Sequence, residues 1–388
     1  MGVALLAAHP AAAQKSTSFQ INPAHDGATV FPDGFKLPLE IAWSRKWPIE
    51  GGGMINDVSH PLIADGKVFV TVTPFGVKET GTTVYTLSLK NGRVLWKKHF
   101  RVGSHWSASA YDNGRLFVVT AAGNVAAVDV DTGSVVWRKS IRGPGIYSFS
   151  STPTAADGRV FISGGGMQGT LFALDQTTGQ IIWQNKVIGH QSSAPTVDGD
   201  SVFVAYGDRV YKFDAATGAL RWLSGRQRSS GGTSGVAPFY ADGIYVNRTT
   251  PFKMHSFGTG DGAREFAFDR IWKAPAFYDG IGYFVTYFKG LEARSTTTRK
   301  VLWRKFAGSE PALPPIVVNG HVLAISHGAV LSVLNGKSGK ILQELPLPSH
   351  VTPNGELDGS FAKGMAAGEG MIVVPADDML FALRQASN

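Results

Sequence analysis

One phrase recurs along this 388-residue chain and constrains its fold more than any other feature. Each copy has aliphatic residues, a polar pair, Thr-Gly, three further residues and then Trp. The two clearest copies run from Leu171 to Trp183 and from Val125 to Trp137. Other copies, some degraded, start at Val84, Val210, Met254, Leu291, Leu331 and Leu380. The spacing of roughly forty residues is typical of a propeller blade with four strands.

A second signal, a tight-turn dipeptide followed by a β-type run, precedes each copy. Asp65-Gly66 and Asn113-Gly114 are clear examples. Such dipeptides supply the positive φ that a two-residue hairpin turn requires. The remaining ones are Asp157-Gly158, Asp198-Gly199, Asp242-Gly243, Asp279-Gly280, Asn319-Gly320 and Glu369-Gly370. Eight turn signals alternating with eight copies predict an all-β fold, an eight-bladed β-propeller of four-stranded blades.

The two ends of the repeat array predict how the ring closes. Leu39–Trp47 has the pattern of an outer strand with no blade before it, and the copy at Leu380 has no outer strand after it. We therefore expect the N-terminal strand to complete the last blade, which hides two strand edges. The repeated tryptophans are expected to pack between blades; they are Trp43, Trp96, Trp137, Trp183, Trp222 and Trp303.

The Leu-Asp-x-x-Thr-Gly-x-x-x-Trp phrase resembles the PQQ-type repeat, and the resemblance covers the chain from residue 37 onward. It implies the eight-bladed propeller of quinoprotein dehydrogenases and of the BamB-like outer-membrane assembly propellers. Enzymes and scaffolds share this repeat, so it implies the fold more strongly than the function. The chain has no cysteine, so it lacks the adjacent-cysteine ring that quinoprotein alcohol dehydrogenases place beside their cofactor. No cofactor is expected, and PQQ with calcium is disfavoured.

The N-terminal segment predicts export. Val3–Ala8 is a short apolar run, and Ala11–Ala13 fits a small-residue cleavage site. We interpret residues 1–13 as a secretory signal remnant, residues 14–36 as an N-terminal arm and residues 37–388 as one propeller domain. The expected location is periplasmic or secreted. Without a cysteine at the signal junction, lipid attachment there is not expected.

The net charge of +8 is spread around the predicted rim. Basic residues recur just after the blade tryptophan, on the outer strand of each blade, where they block edge-to-edge pairing. They are Arg45, Lys46, Lys97, Lys98, Arg138, Lys139, Lys186, Arg304 and Lys305. This pattern favours solubility or weak attraction to anionic surfaces, including a peripheral position at the outer membrane. It does not predict a nucleic-acid partner, because aromatics are not interleaved. No transmembrane segment is predicted, and a monomer is expected.

Candidate site residues lie on the loops that lead into the inner strands, at the predicted channel mouth. The catalytic candidates are His105, Tyr147, His190 and Glu310. The ligand-binding candidates are Trp106, Gln191, Arg226, Arg228, Trp272, Lys273 and Lys363. Tryptophans can stack sugars, cations can hold carboxylates or phosphates, and histidine with tyrosine can provide a base and an acid. No metal site is predicted, because the histidines lie on separate loops with no fixed spacing.

Three functional hypotheses follow. The favoured one is a binding or assembly scaffold whose channel face takes a protein partner or an acidic saccharide. Two long loops, 224–235 and 346–360, could form its interaction face. The alternative is an enzyme at the channel mouth, such as a lyase or hydrolase acting on an acidic saccharide. A PQQ-dependent dehydrogenase is the third.

Overall fold

The structure is a computed structural model. It describes residues 15–47, 55–75, 81–101, 107–143, 149, 151–189, 193–206, 209–225, 235–236, 239–240, 243–247, 253–269, 271, 273–352 and 363–386. Within these residues the regular secondary structure is β-strand, arranged as eight four-stranded blades around a central channel. The predicted eight-bladed β-propeller is confirmed.

The strands of the first four blades are given from the channel outward. Blade one comprises Leu62–Ala64, Lys67–Phe75, Gly81–Ser88 and Val94–Arg101, and Ile55–Val58 also pairs with its second strand. Blade two comprises Ser107–Asp112, Arg115–Thr120, Asn124–Asp129 and Val135–Ser140. Blade three comprises Thr154–Ala156, Arg159–Gly164, Gly166–Asp175 and Ile181–Gly189. Blade four comprises Thr196–Asp198, Ser201–Tyr206, Arg209–Asp214 and Leu220–Ser224.

The other four blades follow the same plan. Blade five comprises Phe239–Tyr240, Gly243–Asn247, Lys253–Gly258 and Arg264–Asp269. Blade six comprises Ala276–Tyr278, Ile281–Thr286, Gly290–Ser295 and Val301–Lys305. Blade seven comprises Ile316–Val318, His321–Ile325, Val330–Asn335 and Ile341–Pro346. Blade eight comprises Ala366–Gly368, Met371–Ala376, Met379–Gln385 and Leu39–Lys46. Short strands Ser193–Ala194 and Gly235–Val236 pair with each other, and Ala28–Thr29 pairs with blade seven.

The ring closes as predicted. Leu39–Lys46 runs antiparallel to Met379–Gln385 and supplies the outer strand of blade eight. At the seam with blade one, the Glu369 carboxylate accepts the N–H groups of Asp65 and Gly66, at 2.7 and 2.8 Å. Strand pairing within blade eight and a charge-assisted cap between blades therefore hold the seam together.

Two of the predicted hairpin turns are displaced by one residue. In blade four Asp198 pairs with Ser201, so the turn residues are 199 and 200, and Gly199 provides the positive φ at the first turn position. In blade five Gly243 pairs with Tyr240, so Gly243 belongs to the second strand, and residues 241 and 242 lie outside the described residues. Strand register decides which residues occupy the turn, and the dipeptide alone does not determine that register.

The repeat tryptophans pack between blades, as expected. The Trp183 indole N–H donates to the Ala215 carbonyl of the next blade at 3.1 Å, and a Cβ on Gly218 would lie 2.6 Å from its ring. Gly218 has a φ of +74°, so the position favours glycine for two reasons. The corresponding tryptophan–glycine pairs are Trp43 with Gly92, Trp96 with Gly133, Trp137 with Gly179, Trp222 with Gly262 and Trp303 with Gly339.

One degraded pair of repeat positions has changed on both sides of its interface. Blade five has Phe266 in place of the tryptophan, and blade six has Arg299 in place of the glycine. The Arg299 guanidinium lies over the Phe266 ring, 5.8 Å from its centroid. A cation–π contact therefore replaces the usual ring-on-glycine contact between these two blades.

The N-terminal arm closes one end of the channel. Its backbone exchanges hydrogen bonds with Ile63 of blade one, and Pro23 O accepts from the Val197 N–H of blade four at 2.8 Å. Asp26 O and Gly27 O accept from the inner strands of blades six and seven, at 2.7 and 2.8 Å. All these contacts lie near the hairpin turns that end the inner strands, here called the turn end. The opposite end, where the inner strands begin, is the mouth.

Candidate functional site

Phe19 of the arm is fully buried in the centre of the channel. Its ring packs with Ala194 and Ala274 in one apolar cluster, and it lies edge-on to His60 with 5.5 Å between the ring centroids. A Cβ on Gly364 would lie 3.0 Å from the same ring. These contacts come from blades one, four, six and eight, so Phe19 forms the floor beneath the mouth.

His25 fixes the arm next to this floor. The ring nitrogens of His25 lie within hydrogen-bonding distance of the hydroxyls of Ser18, Thr154 and Thr196, at 3.1 to 3.3 Å. Burial lowers the pKa of His25 from 6.5 to about 3, and the neighbouring His60 adds to this effect. The imidazole is therefore neutral near pH 7.

Gln20 makes a second polar attachment of the arm. Its side-chain amide donates to the carbonyls of Pro275 and Pro315, each at 3.2 Å. These prolines belong to the inner-strand segments of blades six and seven. The arm is therefore held by side-chain as well as backbone hydrogen bonds, around much of the channel.

A ring of equivalent positions, which we call the collar, lies one residue closer to the mouth than the positions that contact Phe19. Each member lies six residues before the first residue of the turn that ends the inner strand of its blade. In order of blades its members are Ser59, Ser107, Ser151, Ser193, Gly235, Lys273, Leu313 and Lys363. Blades one to five thus contribute small residues, whereas blades six and eight contribute lysines.

Lys273 and Lys363 are buried, with exposed fractions of 2 % and 7 %. Lysine is almost never fully buried without a partner, because removing an ammonium from water is costly. Each of these side chains interacts with other groups of the protein. Buried lysines therefore occupy the collar on both sides of blade seven. Both lysines are among the ligand-binding residues predicted from the sequence.

Glu310 lies on the loop from blade six to blade seven, at the mouth. Its carboxylate accepts a hydrogen bond from the Phe288 N–H, in the turn between the second and third strands of blade six. The structure thus places this catalytic candidate where it stabilises a neighbouring turn.

The other candidate site residues lie outside the described residues. They are His105, Trp106, Tyr147, His190, Gln191, Arg226, Arg228 and Trp272. Most of the two long loops that were predicted as an interaction face also lies outside, as do residues 1–13. Those assignments remain predictions.

The predicted basic belt is found on the outer strands. Lys46, Lys97, Arg138, Lys186 and Arg304 are exposed, and Arg45, Lys98, Lys139 and Lys305 are half-buried. Some of these cations have carboxylate partners: Arg304 pairs with the buried Glu292 at 2.6 Å, and Lys46 lies 3.4 Å from Asp378. The belt is dispersed around the rim and is separate from the two collar lysines.

The arm residues that form the floor of the site, and an exposed aromatic pair at the mouth, were not predicted from the sequence. Phe19, Gln20 and His25 precede the repeat array, so no repeat position could identify them. Tyr287 and Phe288, at the tip of a blade-six turn, are exposed at the mouth end. A comparison of the turn between the second and third strands of each blade could have revealed them.

Two further observations concern the described part of the chain. It contains no helix long and apolar enough to cross a membrane. It also contains no group of three or more His, Asp or Glu side chains placed to hold a metal ion.

Two proteins with named enzymatic activities match part of this chain at low sequence identity. Tetrathionate hydrolase of Acidithiobacillus ferrooxidans is 24 % identical over 278 residues, covering 64 % of this chain and 54 % of that protein. A quinone-dependent alcohol dehydrogenase subunit of Gluconacetobacter polyoxogenes is 27 % identical over 251 residues, covering 58 % of this chain and 31 % of that protein. The chain therefore spans about half and about a third of the lengths of these two relatives.

A solved structure shows the same architecture. BamB from Moraxella catarrhalis superposes with a TM-score of 0.66 at 14 % identity, covering 91 % of this chain and 99 % of that one. The family described as outer membrane protein assembly factor BamB matches residues 80–168 and 168–367, which is more than half of the sequence. With its eight repeat-built blades and their tryptophan–glycine contacts, the chain belongs to this BamB family of PQQ-type propellers.

Proposed function

We propose that this protein is an exported, non-catalytic binding propeller that holds an acidic segment of a partner protein at the channel mouth. The observation that carries the proposal is the pair of buried collar lysines, Lys273 and Lys363. A carboxylate that reaches them would form charge-assisted hydrogen bonds in a partly dehydrated setting, where such bonds are strongest. Membership of a family described as an assembly factor supports a role in binding proteins.

The arm supports the same proposal, because it gives the site a floor. Phe19 and the backbone contacts of residues 16–29 occupy the turn end. A ligand would therefore approach the collar from the mouth. The signal-like residues 1–13 support export to the periplasm, which agrees with the outer-membrane role in the family's description.

The test is titration calorimetry of the purified protein with a short polyglutamate peptide. We expect binding that weakens with added salt. Lys273→Gln and Lys363→Gln should each weaken it by about tenfold to a hundredfold, because a hydrogen bond to a charged group contributes about 1.5–3 kcal/mol. The matched control is Lys337→Gln, which removes a largely exposed lysine at the turn end. No binding by the parent protein, or equal losses in the control, would contradict the proposal.

An enzyme acting on a small anion is the second candidate. The resemblance to tetrathionate hydrolase, which extends over 64 % of this chain, favours it, and the lysine pair could equally hold the charged ends of such a substrate. An acidic saccharide is a further possible substrate for a mouth site. The assay follows the disappearance of tetrathionate or oligogalacturonate. Turnover that His105→Ala, Tyr147→Ala or His190→Ala abolishes would replace the scaffold proposal.

No cofactor enters the proposal. We derive no redox step for this chain. Calcium-dependent binding of PQQ with dye-linked alcohol oxidation would be the result that brings the dehydrogenase hypothesis forward.

A further inference from the structure

We infer that Tyr287 and Phe288 form an aromatic anchor at the mouth, which adds an apolar contact to the acidic segment bound by the collar. The inference rests on the proposed function and specifies the partner further. Phe288 is 62 % exposed and Tyr287 is 39 % exposed. They occupy the tip of the turn between Ile281–Thr286 and Gly290–Ser295, on the same end of the propeller as the collar.

Two equivalent turns that the structure describes, in blades two and seven, have other residues at the tip. In blade six the Lys289 N–H closes the turn on Thr286 O at 3.2 Å. The same closure joins Gly123 to Thr120 in blade two and Ala329 to Ser326 in blade seven, at 2.8 and 3.0 Å. The tips enclosed by these bonds are Ala121-Ala122 and His327-Gly328, against Tyr287-Phe288 in blade six. The aromatic pair is therefore not required to form the turn.

The tip is held rigidly in an unfavourable backbone conformation. Phe288 has a φ of +63°, which is an outlier for a bulky residue. The Glu310 carboxylate accepts its N–H, and the Gly308 N–H donates to its carbonyl at 3.3 Å. The loop from blade six to blade seven thus holds both backbone polar groups of a strained, exposed residue. Strain maintained by its surroundings at an exposed side chain is typical of a functional position.

The two rings contact each other and form one continuous apolar surface. The ring centroids of Tyr287 and Phe288 are 4.0 Å apart and the ring planes are inclined by 56°. A side chain of leucine size can contact both rings, and rigid aromatic groups lose little conformational entropy on binding. Exposed aromatic anchors of this kind often dominate the affinity of an interface.

The Glu310 carboxylate at the tip accepts the Phe288 N–H, and two lysines near the tip favour an acidic partner. Lys289 follows the pair in the chain and is exposed, and Lys305 lies opposite Leu291 at the end of the neighbouring strand. Ile271 forms an antiparallel β-bridge with Thr286. Thr286 precedes Phe288 by two residues, and Ile271 precedes Lys273 by two residues. Four residues of extended backbone span roughly 13 Å at about 3.3 Å per residue. Because residues 287–289 form a turn, the backbones of Phe288 and Lys273 are no farther apart than this along the blade. An extended acidic peptide with an apolar residue about four positions from a carboxylate spans this separation.

The test compares two probes, a short polyglutamate peptide and the same peptide with one central leucine. The parent protein should bind the leucine peptide at least about tenfold more tightly. Phe288→Ser should remove this gain and leave the affinity for polyglutamate unchanged. Leu220→Ser, which removes an apolar side chain that is 53 % exposed on the rim, is the matched control and should change neither affinity.

A second variant separates binding from folding. Phe288→Gly should also remove the gain, while its melting temperature stays equal to or above that of the parent, because glycine accepts a positive φ. Polyglutamate binding without any gain from leucine would overturn this inference alone, whereas no binding of either peptide would overturn the proposed function with it. Binding of oligogalacturonate that depends on Phe288, without a leucine gain, would overturn it in favour of a sugar platform.

Discussion

Replacement of Trp183 by alanine is expected to lower the free energy of unfolding by about 3–5 kcal/mol, the usual range for removing a buried large aromatic side chain. Trp183 is 9 % exposed and packs in the core between blades three and four. The variant loses its hydrogen bond to Ala215 O and the ring contact with Gly218. Because the Gly218 backbone lies directly against the indole, neighbouring side chains cannot fill the cavity left by the alanine unless the turn at Gly218 moves.

Urea unfolding of the purified variants measures this effect. Leu220→Ala is the matched control, because Leu220 lies on the outer strand of blade four with its side chain largely in water. It should change the free energy of unfolding by less than about 0.5 kcal/mol. Trp222→Ala should fall between the two, because Trp222 is only half-buried. Equal effects at Trp183 and Leu220 would show that the indole does not connect the blades.

Acid is expected to destabilise the protein through His25. Its pKa is 6.5 when exposed and about 3 in the folded protein, where it is fully buried. Between these values the unfolded chain binds a proton that the folded protein does not, so the free energy of unfolding falls as the pH falls. The contribution is fully present above pH 6.5. It is lost progressively down to about pH 3, and amounts to about 5 kcal/mol when complete.

The measurement compares urea unfolding at pH 7 and pH 4.5 for the parent and His25→Gln. Over this interval His25 should contribute a loss of about 3 kcal/mol to the parent that the glutamine variant lacks. Carboxylates titrate in the same range, so the difference between the two proteins is the relevant quantity. His327→Gln, at an exposed turn position, is the control and should behave like the parent. Identical pH profiles for the parent and His25→Gln would refute the assignment.

The architecture was largely predictable because its signals are local and repeated. Each Thr-Gly needs a positive φ at its glycine and each tryptophan needs a glycine opposite, so both appear in the sequence at fixed spacing. The two positions remain in contact in a degraded copy, where Arg299 lies over the Phe266 ring. The turn positions of blades four and five were displaced by one residue, because strand register there depends on pairing across the blade.

The site was less predictable. Repeat alignment placed Lys273 and Lys363 at the channel, but it could not tell that both are buried. It also placed Glu310 at the mouth as a possible catalytic group, whereas the carboxylate stabilises the Phe288 turn. Phe288 itself belongs to a turn that the repeat phrase does not include, so its exposure emerged only with the fold.

By itself, the sequence determined the number of blades, the closing strand and the packing of tryptophan against glycine. These features follow from backbone conformation and side-chain size within one repeat and its neighbour. Only the tertiary structure decided that residues 15–31 enter the channel, that Phe19 and His25 become its floor, and that two lysines lie just above them. Burial at the centre of a ring depends on segments that are hundreds of residues apart in sequence, and no local pattern records which of them meet.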